Sequence, residues 1–314
     1  RLMPMPIDSA VSVRPTTRLL LALHNNNDQA TNTVLKTRII TALILAPIAI
    51  GGIFFLPPLG FALFTGAIIT LGAWEWANMS GIESQPGRVG YALVMAALLY
   101  ALGGLPALLV LWLAIAWWLV CFWLVRRYPA GSERWGAIPV RALMGFMVLV
   151  PAWVGLNHLR NGGFQFGDVA NNLVVILYIF LVVWVADIGA YFAGRAFGKA
   201  KLAPRVSPGK SWAGVWGGLA AVALLAIVAS LLANAGVAEA MLLVVASLVT
   251  GFVSVLGDLL ESMLKRFRGI KDSSQLLPGH GGIMDRIDSL TAAIPVFALM
   301  ITLLGWLTAG QVVA

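Results

Sequence analysis

The stretch VANNLVVILYIFLVVWVADIGAYF, Val169–Phe192, decides the fold class. Past its two asparagines it runs almost unbroken through Leu, Val, Ile, Phe and Trp, and its one formally charged side chain is Asp187, near the far end. About 20 such residues in a helix cross the roughly 30 Å of hydrocarbon in a bilayer. Composition extends that reading to the whole chain of 314 residues, which is 60% hydrophobic and 11% charged with a mean hydropathy of +0.90. Soluble domains carry roughly 25% charged residues. An ordinary soluble domain is therefore excluded, and the chain reads as an all-α polytopic membrane protein.

Working outward from that stretch, about nine segments approach or meet the spanning length: 38–56, 59–75, 89–104, 105–125, 139–159, 169–192, 212–233, 237–257 and 290–309. The third is short. Short cytoplasmic loops retain Lys and Arg, and an N-terminus on the cytoplasmic side puts 1–37, 76–88, 126–138, 193–211 and 258–289 inside. Those segments and their flanks hold every Lys and Arg except Arg160, which supports both the count and the orientation. The formal charge of +8 is then topogenic and faces anionic headgroups. No nucleic-acid partner is expected, since no basic groove with interleaved aromatics is evident.

Three regions follow: a polar leader 1–37, N-terminal membrane helices over 38–160, and a C-terminal catalytic membrane region, 161–314, with inner loops 193–211 and 258–289. The leader, with its HNNNDQATNT run, is expected to be disordered. Its apolar stretch at 18–23 is too brief for a span, and no small-residue cleavage site follows, so a cleaved signal peptide is not expected. The single cysteine, Cys121, lies in an apolar run and reads as a small core hydrophobe.

The chemistry gathers in inner polar segments. Asp187 ends a long apolar run, where an ionisable group is a functional hypothesis by default. Arg195, Lys199, Lys201, Arg205 and Lys210 follow among Gly and Pro, and SPGKS (207–211) leads toward the next helix, whose N-terminal amides can receive an anion. A Walker loop would need glycine at 204, and Pro204 stands there. The alternative for this segment is a topogenic loop.

In GDLLESMLKR, the residues Asp258, Glu261, Ser262 and Lys265 lie at i, i+3, i+4 and i+7, on one helix face. Asp285 and Asp288 form a second i, i+3 pair before the last span. Hard carboxylate oxygens suit Mg²⁺, which commonly takes one or two of them plus substrate phosphates and water. A salt-bridge network with the nearby cations is the alternative. Between these pairs, GIKDSSQLLPGHGG supplies turns, Lys271 and His280; the histidine could bind phosphate or move a proton, and zinc is not expected because the other histidines are remote. A metal and a polyphosphate meeting at the membrane edge suit phosphoryl-type transfer, in which alignment and charge stabilisation do most of the catalysis.

Ser262, Lys265-Arg266, Lys271-Asp272, Pro278-Gly279-His280 and Asp285-Arg286-x-Asp288 resemble the C-terminal signature of the phosphatidate cytidylyltransferases, and DIGAYFAGRAFGKAKLAPRVSPGKSWAG resembles that family's preceding loop. The likeness is strongest over 184–290. It implies that CTP and phosphatidic acid give CDP-diacylglycerol and pyrophosphate with Mg²⁺, a second metal position being left open. It also implies a homodimer in the bacterial inner membrane, with a polar cavity open to cytoplasm and lipid. On that resemblance Asp258 and Asp285 are the principal expected metal ligands, and Asp288 and Asp187 support them. Lys210, Lys265, Arg266, Lys271 and Arg286 are expected phosphate contacts, with Ser207, Ser211, Ser262 and His280 as hydrogen-bonding partners of phosphate. The nearest rival is a CTP-dependent cytidylyltransferase for another lipid phosphate. A transporter would place carboxylates at mid-span beside interrupted helices, and a CDP-alcohol phosphotransferase would show an Asp-Gly-x-x-Ala-Arg motif; neither pattern is present.

Overall fold

The structure, a computed structural model, describes residues 40–308 except 42, 45 and 46. The expected leader, 1–37, lies outside the described residues. In chain order the elements are α1 (Pro58–Ser80), α2 (Gln85–Leu102), α3 (Ala107–Arg127), the single turn α4 (Ser132–Trp135), α5 (Ile138–Asn161), β1 (Gly163–Phe164), α6 (Asn172–Phe197), β2 (Lys201–Ala203), β3 (Ser207–Ser211), α7 (Trp212–Leu232), α8 (Val237–Arg268), α9 (Met284–Leu303) and β4 (Leu307–Thr308). Seven of the described helices, all but α2 and α4, are long and apolar enough to cross a membrane. Of the other two expected spans, 38–56 falls partly outside the described residues, and 89–104 corresponds to α2, whose first turn is polar.

Local chemistry marks the helix ends. Ser84 opens α2 by accepting the Gly87 amide at 3.3 Å, and Asn171 opens α6 by accepting the Leu173 amide at 2.9 Å. Ser211 does the same for α7 through the Gly214 amide, at 3.2 Å. Gly269, with φ of +75°, closes α8.

Three differences from the sequence reading concern where helices stop. Helix α8 runs on past the expected end at 257 to Arg268, because Leu259, Leu260, Met263 and Leu264 stay buried while the charges ride another face. Helix α9 starts at Met284, so Asp285 and Asp288 are helical, and α6 continues to Phe197. The SPGKS segment is a strand: β3 pairs antiparallel with β2, Ala203 opposite Ser207 and Lys201 opposite Ser211.

Packing then fixes the site. Helix α9 is buried for most of its length against α8, α5, α3 and α6. At the α8–α9 crossing a Cβ on Gly257 would lie 2.4 Å from the Asp288 carbonyl oxygen, so only glycine lets the two backbones approach. Helices α6 and α7 meet in the same manner, with Gly217 against Ala193 and Gly218 against the Ala186 carbonyl, the small-residue contact that substitutes for hydrophobic driving force between membrane helices.

Candidate active site

The β2–β3 hairpin folds over the end of α8 and carries Lys210 to Asp258, with Nζ 2.6 Å from Oδ2. Ser262, one turn along α8, donates to Asp258 Oδ1 at 3.2 Å. Asp187 on α6 faces this pair across a cavity of 390 Å³, which Arg195, Ser211 and a run of glycines also line. The Lys210 and Asp258 side chains keep 25% and 29% of their surface exposed, enough for a ligand to reach both. This cavity can hold an anionic group against Lys210 and Arg195 while Asp187 and Asp258 offer hard oxygen donors.

A larger cavity of 560 Å³ adjoins it. Leu202, Val215 and Val255 line both, so they form a shared wall. Most of the side chains lining the second cavity are apolar, Phe122, Phe252 and Leu259 among them, and Arg126 and Arg205 belong to its lining as well. Two cations in one cavity and a larger neighbour lined mostly by apolar side chains suit an amphiphile with an anionic head.

From Asp258 a polar seam continues along α8. Asp288, on α9, lies within electrostatic reach of Asp258, Glu261 and Lys210. Lys265 bridges Glu261 and Asp285, its Nζ 2.9 Å from Glu261 Oε2 and 2.6 Å from Asp285 Oδ1. Asp285 also accepts the Ser273 amide at 3.1 Å, the Ser273 hydroxyl at 3.0 Å and the Gly282 amide at 2.7 Å, all on Oδ2. Its two oxygens thus hold the 273–282 loop to the start of α9.

The remaining expected residues sit around this seam. Arg266 donates to the Val206 carbonyl at 3.4 Å, tying α8 to the hairpin turn. Arg286 donates to the His280 carbonyl at 3.1 Å and is exposed, as is Lys271. Ser207 is half-buried on β3, and the Ser211 hydroxyl is engaged as the α7 cap. His280, Lys271 and Arg286 lie on the 271–286 segment and do not line the 390 Å³ cavity.

Glu75 was not singled out in the sequence, although an acid closing an apolar run was the signal. It is fully buried and accepts four hydrogen bonds from 273–284: the Ser273 and Ser274 hydroxyls at 3.1 and 2.6 Å, and the Ile283 and Met284 amides at 2.9 and 2.6 Å.

Among the described residues no three His, Cys, Asp or Glu side chains converge as a metal cage. The donor set nevertheless suits Mg²⁺ brought in with a substrate, since that ion takes few protein carboxylates and completes its shell from phosphates and water. Asp258 and Asp187 provide such oxygens beside the cavity, and Glu261 Oε1 is buried with no hydrogen-bond partner.

Comparison with known proteins decides the lineage. Residues 36–304 match the cytidylyltransferase family. The chain belongs to that family. It is 52% identical over 275 residues to the phosphatidate cytidylyltransferase of Pseudomonas aeruginosa, covering 87% of this chain and 99% of the relative. It is 41% identical over 284 residues to the enzyme of that name from Haemophilus influenzae, covering 84% and 98%. With the Bacillus subtilis enzyme of the same name the identity is 32% over 285 residues, covering 86% and 98%.

Proposed function

We propose that the protein is a phosphatidate cytidylyltransferase, forming CDP-diacylglycerol and pyrophosphate from CTP and phosphatidic acid. The observation that carries this reading is the Lys210–Asp258 pair, with Asp187 and Arg195, in a cavity whose wall is shared with a larger one lined largely by apolar side chains. Near-full-length similarity to relatives of that name supplies the cytidine and the lipid, which geometry alone does not specify.

In this reading a phosphate oxygen of phosphatidic acid attacks the α-phosphorus of CTP. The new P–O bond forms as the α–β bridge breaks, and pyrophosphate leaves with the bonding pair. The attacking phosphomonoester, like phosphoserine with a second pKa near 6, is largely dianionic at pH 7 and needs no strong general base. Lys210 and Arg195 hold phosphate oxygens in the cavity, and a bound polyphosphate competes with Asp258 for Lys210. Asp258 and Asp187, with Asp288 and Glu261 behind them, would hold Mg²⁺, which neutralises the charge that builds on the transferring phosphate. The larger cavity takes the acyl chains along its apolar side chains, and Arg126 and Arg205 in its lining meet the anionic headgroup.

The same reading includes about nine spans with a cytoplasmic N-terminus, an active site on the cytoplasmic side of a bacterial inner membrane, and a homodimer. Confinement of every Lys and Arg except Arg160 to one side of the expected spans supports the orientation.

The test is CTP-dependent turnover of phosphatidic acid by purified protein in detergent, with Mg²⁺ and with a chelator, following both products. Equal, Mg²⁺-dependent release of CDP-diacylglycerol and pyrophosphate is expected. Absence of product from folded protein across several acyl chains refutes the assignment, and preference for another lipid phosphate in competition moves it to that substrate.

A further inference from the structure

The α1 helix supplies the charge that organises the far end of the chain. Helix α9 begins at Met284 with no side-chain cap of its own at Ile283, although the first amides of any helix need acceptors. Glu75 provides them. Its Oε1 accepts the Ile283 amide and the Ser274 hydroxyl, and its Oε2 accepts the Met284 amide and the Ser273 hydroxyl. One turn on, Asn78 donates to the Ser273 carbonyl at 3.1 Å.

The Ser273 hydroxyl stands between two carboxylates, 3.1 Å from Glu75 Oε2 and 3.0 Å from Asp285 Oδ2. It has one proton, so the two acids share it. Glycines make room for this arrangement. A Cβ on Gly282 would fall 2.0 Å from Ser273 Oγ and 2.6 Å from both Glu75 oxygens, and one on Gly281, whose φ is +81°, would fall 2.6 Å from Asp285 Oδ2. The paired glycines after His280 exist because carboxylates occupy the space of their missing side chains.

We infer that Glu75 is a positioning residue for the transfer reaction, setting the start of α9, and through it Asp285 and Asp288, against Lys265 and Asp258 on α8. The inference rests on the proposed function for its kinetic consequence. The geometry on which it stands is independent of that function. Glu75 lines neither the 390 Å³ nor the 560 Å³ cavity; it acts by fixing where the α9 acids lie relative to the Lys210–Asp258 pair. Displacement of reacting groups by about 1 Å can cost about 100-fold in rate.

Glu75→Gln tests this in the full-length protein. A carboxamide offers one acceptor oxygen where the carboxylate offers two, and its NH₂ would point at an α9 amide or a serine hydroxyl. Measured well below the melting temperature and per folded molecule, kcat is expected to fall about 100-fold, with KM for CTP and for phosphatidic acid changed less than about threefold. Hydrogen exchange at 271–286 should rise while that of α6 and α7 does not, a readout that needs no turnover. Ser273→Ala removes the hydroxyl shared by Glu75 and Asp285, and Ser274→Ala the hydroxyl that reaches Glu75 Oε1 and accepts the Leu276 amide; both guard against a Glu75→Gln protein that fails to fold, and each should lower kcat severalfold with the protein intact. Unchanged kcat per folded molecule in all three variants, or unaltered exchange at 271–286, overturns the inference. If the parent protein makes no CDP-lipid, the functional reading fails instead, and the exchange measurement still decides whether Glu75 holds the segment.

Discussion

Replacing Lys265 by methionine separates a buried strut from a substrate-binding cation. Its ammonium lies 2.9 Å from Glu261 and 2.6 Å from Asp285, and the three side chains are 11%, 2% and 8% exposed. At an effective dielectric near 20, unit charges about 3 Å apart attract by roughly 5 kcal/mol before desolvation is counted. Desolvation offsets much of that attraction. Removing the cation alone, however, leaves two buried carboxylates without their counter-ion, and breaking such a pair costs about 3–5 kcal/mol. Lys265→Met should therefore lower the melting temperature in detergent by roughly 5–10 °C, and activity should fall with it. Adding Glu261→Gln removes one stranded charge, so the double variant should regain at least about 1 kcal/mol of the loss expected from adding the single effects. A melting temperature within about 1 °C of the parent, together with a raised KM for CTP, would refute the strut and return Lys265 to the phosphate-contact role that the sequence suggested.

Lys210→Ala should lower kcat/KM by about 10²–10³, as loss of a group that stabilises transition-state charge does, and leave the melting temperature nearly unchanged; steady-state kinetics on folded protein checks it. Asp258→Asn should reduce turnover by orders of magnitude and raise the Mg²⁺ needed for half-maximal rate, read from a Mg²⁺ titration. Gly282→Ala should destabilise the protein by at least about 1–3 kcal/mol, the cost of overpacking, since its methyl would overlap the Ser273 hydroxyl and the Glu75 carboxylate; a thermal melt decides. Val255→Trp, which fills the wall between the two cavities, should raise KM for long-chain phosphatidic acid more than KM for CTP, as a comparison of the two saturation curves would reveal.

Hydropathy made the helical membrane architecture legible, and spacing made the acids of α8 and α9 legible, because both depend on short-range pattern. Hydropathy reports where apolar residues end and not where a helix ends. The apolar span therefore reads as ending at 257, whereas the one helix face implied by the Asp258–Lys265 spacing is present and buried leucines on the opposite face carry α8 to Arg268. The β2–β3 hairpin escaped because SPGKS contains a proline and a glycine and its strand is only five residues long. Glu75 escaped for a different reason. Its partners lie about 200 positions away in sequence, and no local periodicity encodes a contact of that range.

That separation also bears on how the protein is made. At roughly 5–20 residues per second, the ribosome finishes Glu75 about 10–40 s before it reaches Ser273 and Met284. Throughout that interval none of the four final donors to the carboxylate is yet synthesised. Until the 273–284 segment docks, Glu75 lacks all four of these hydrogen bonds and has Arg88, thirteen residues on, as a cation within electrostatic reach. A nascent chain arrested before residue 273 already holds Lys210 and Asp258 but has neither α9 nor the loop that Glu75 ties to it.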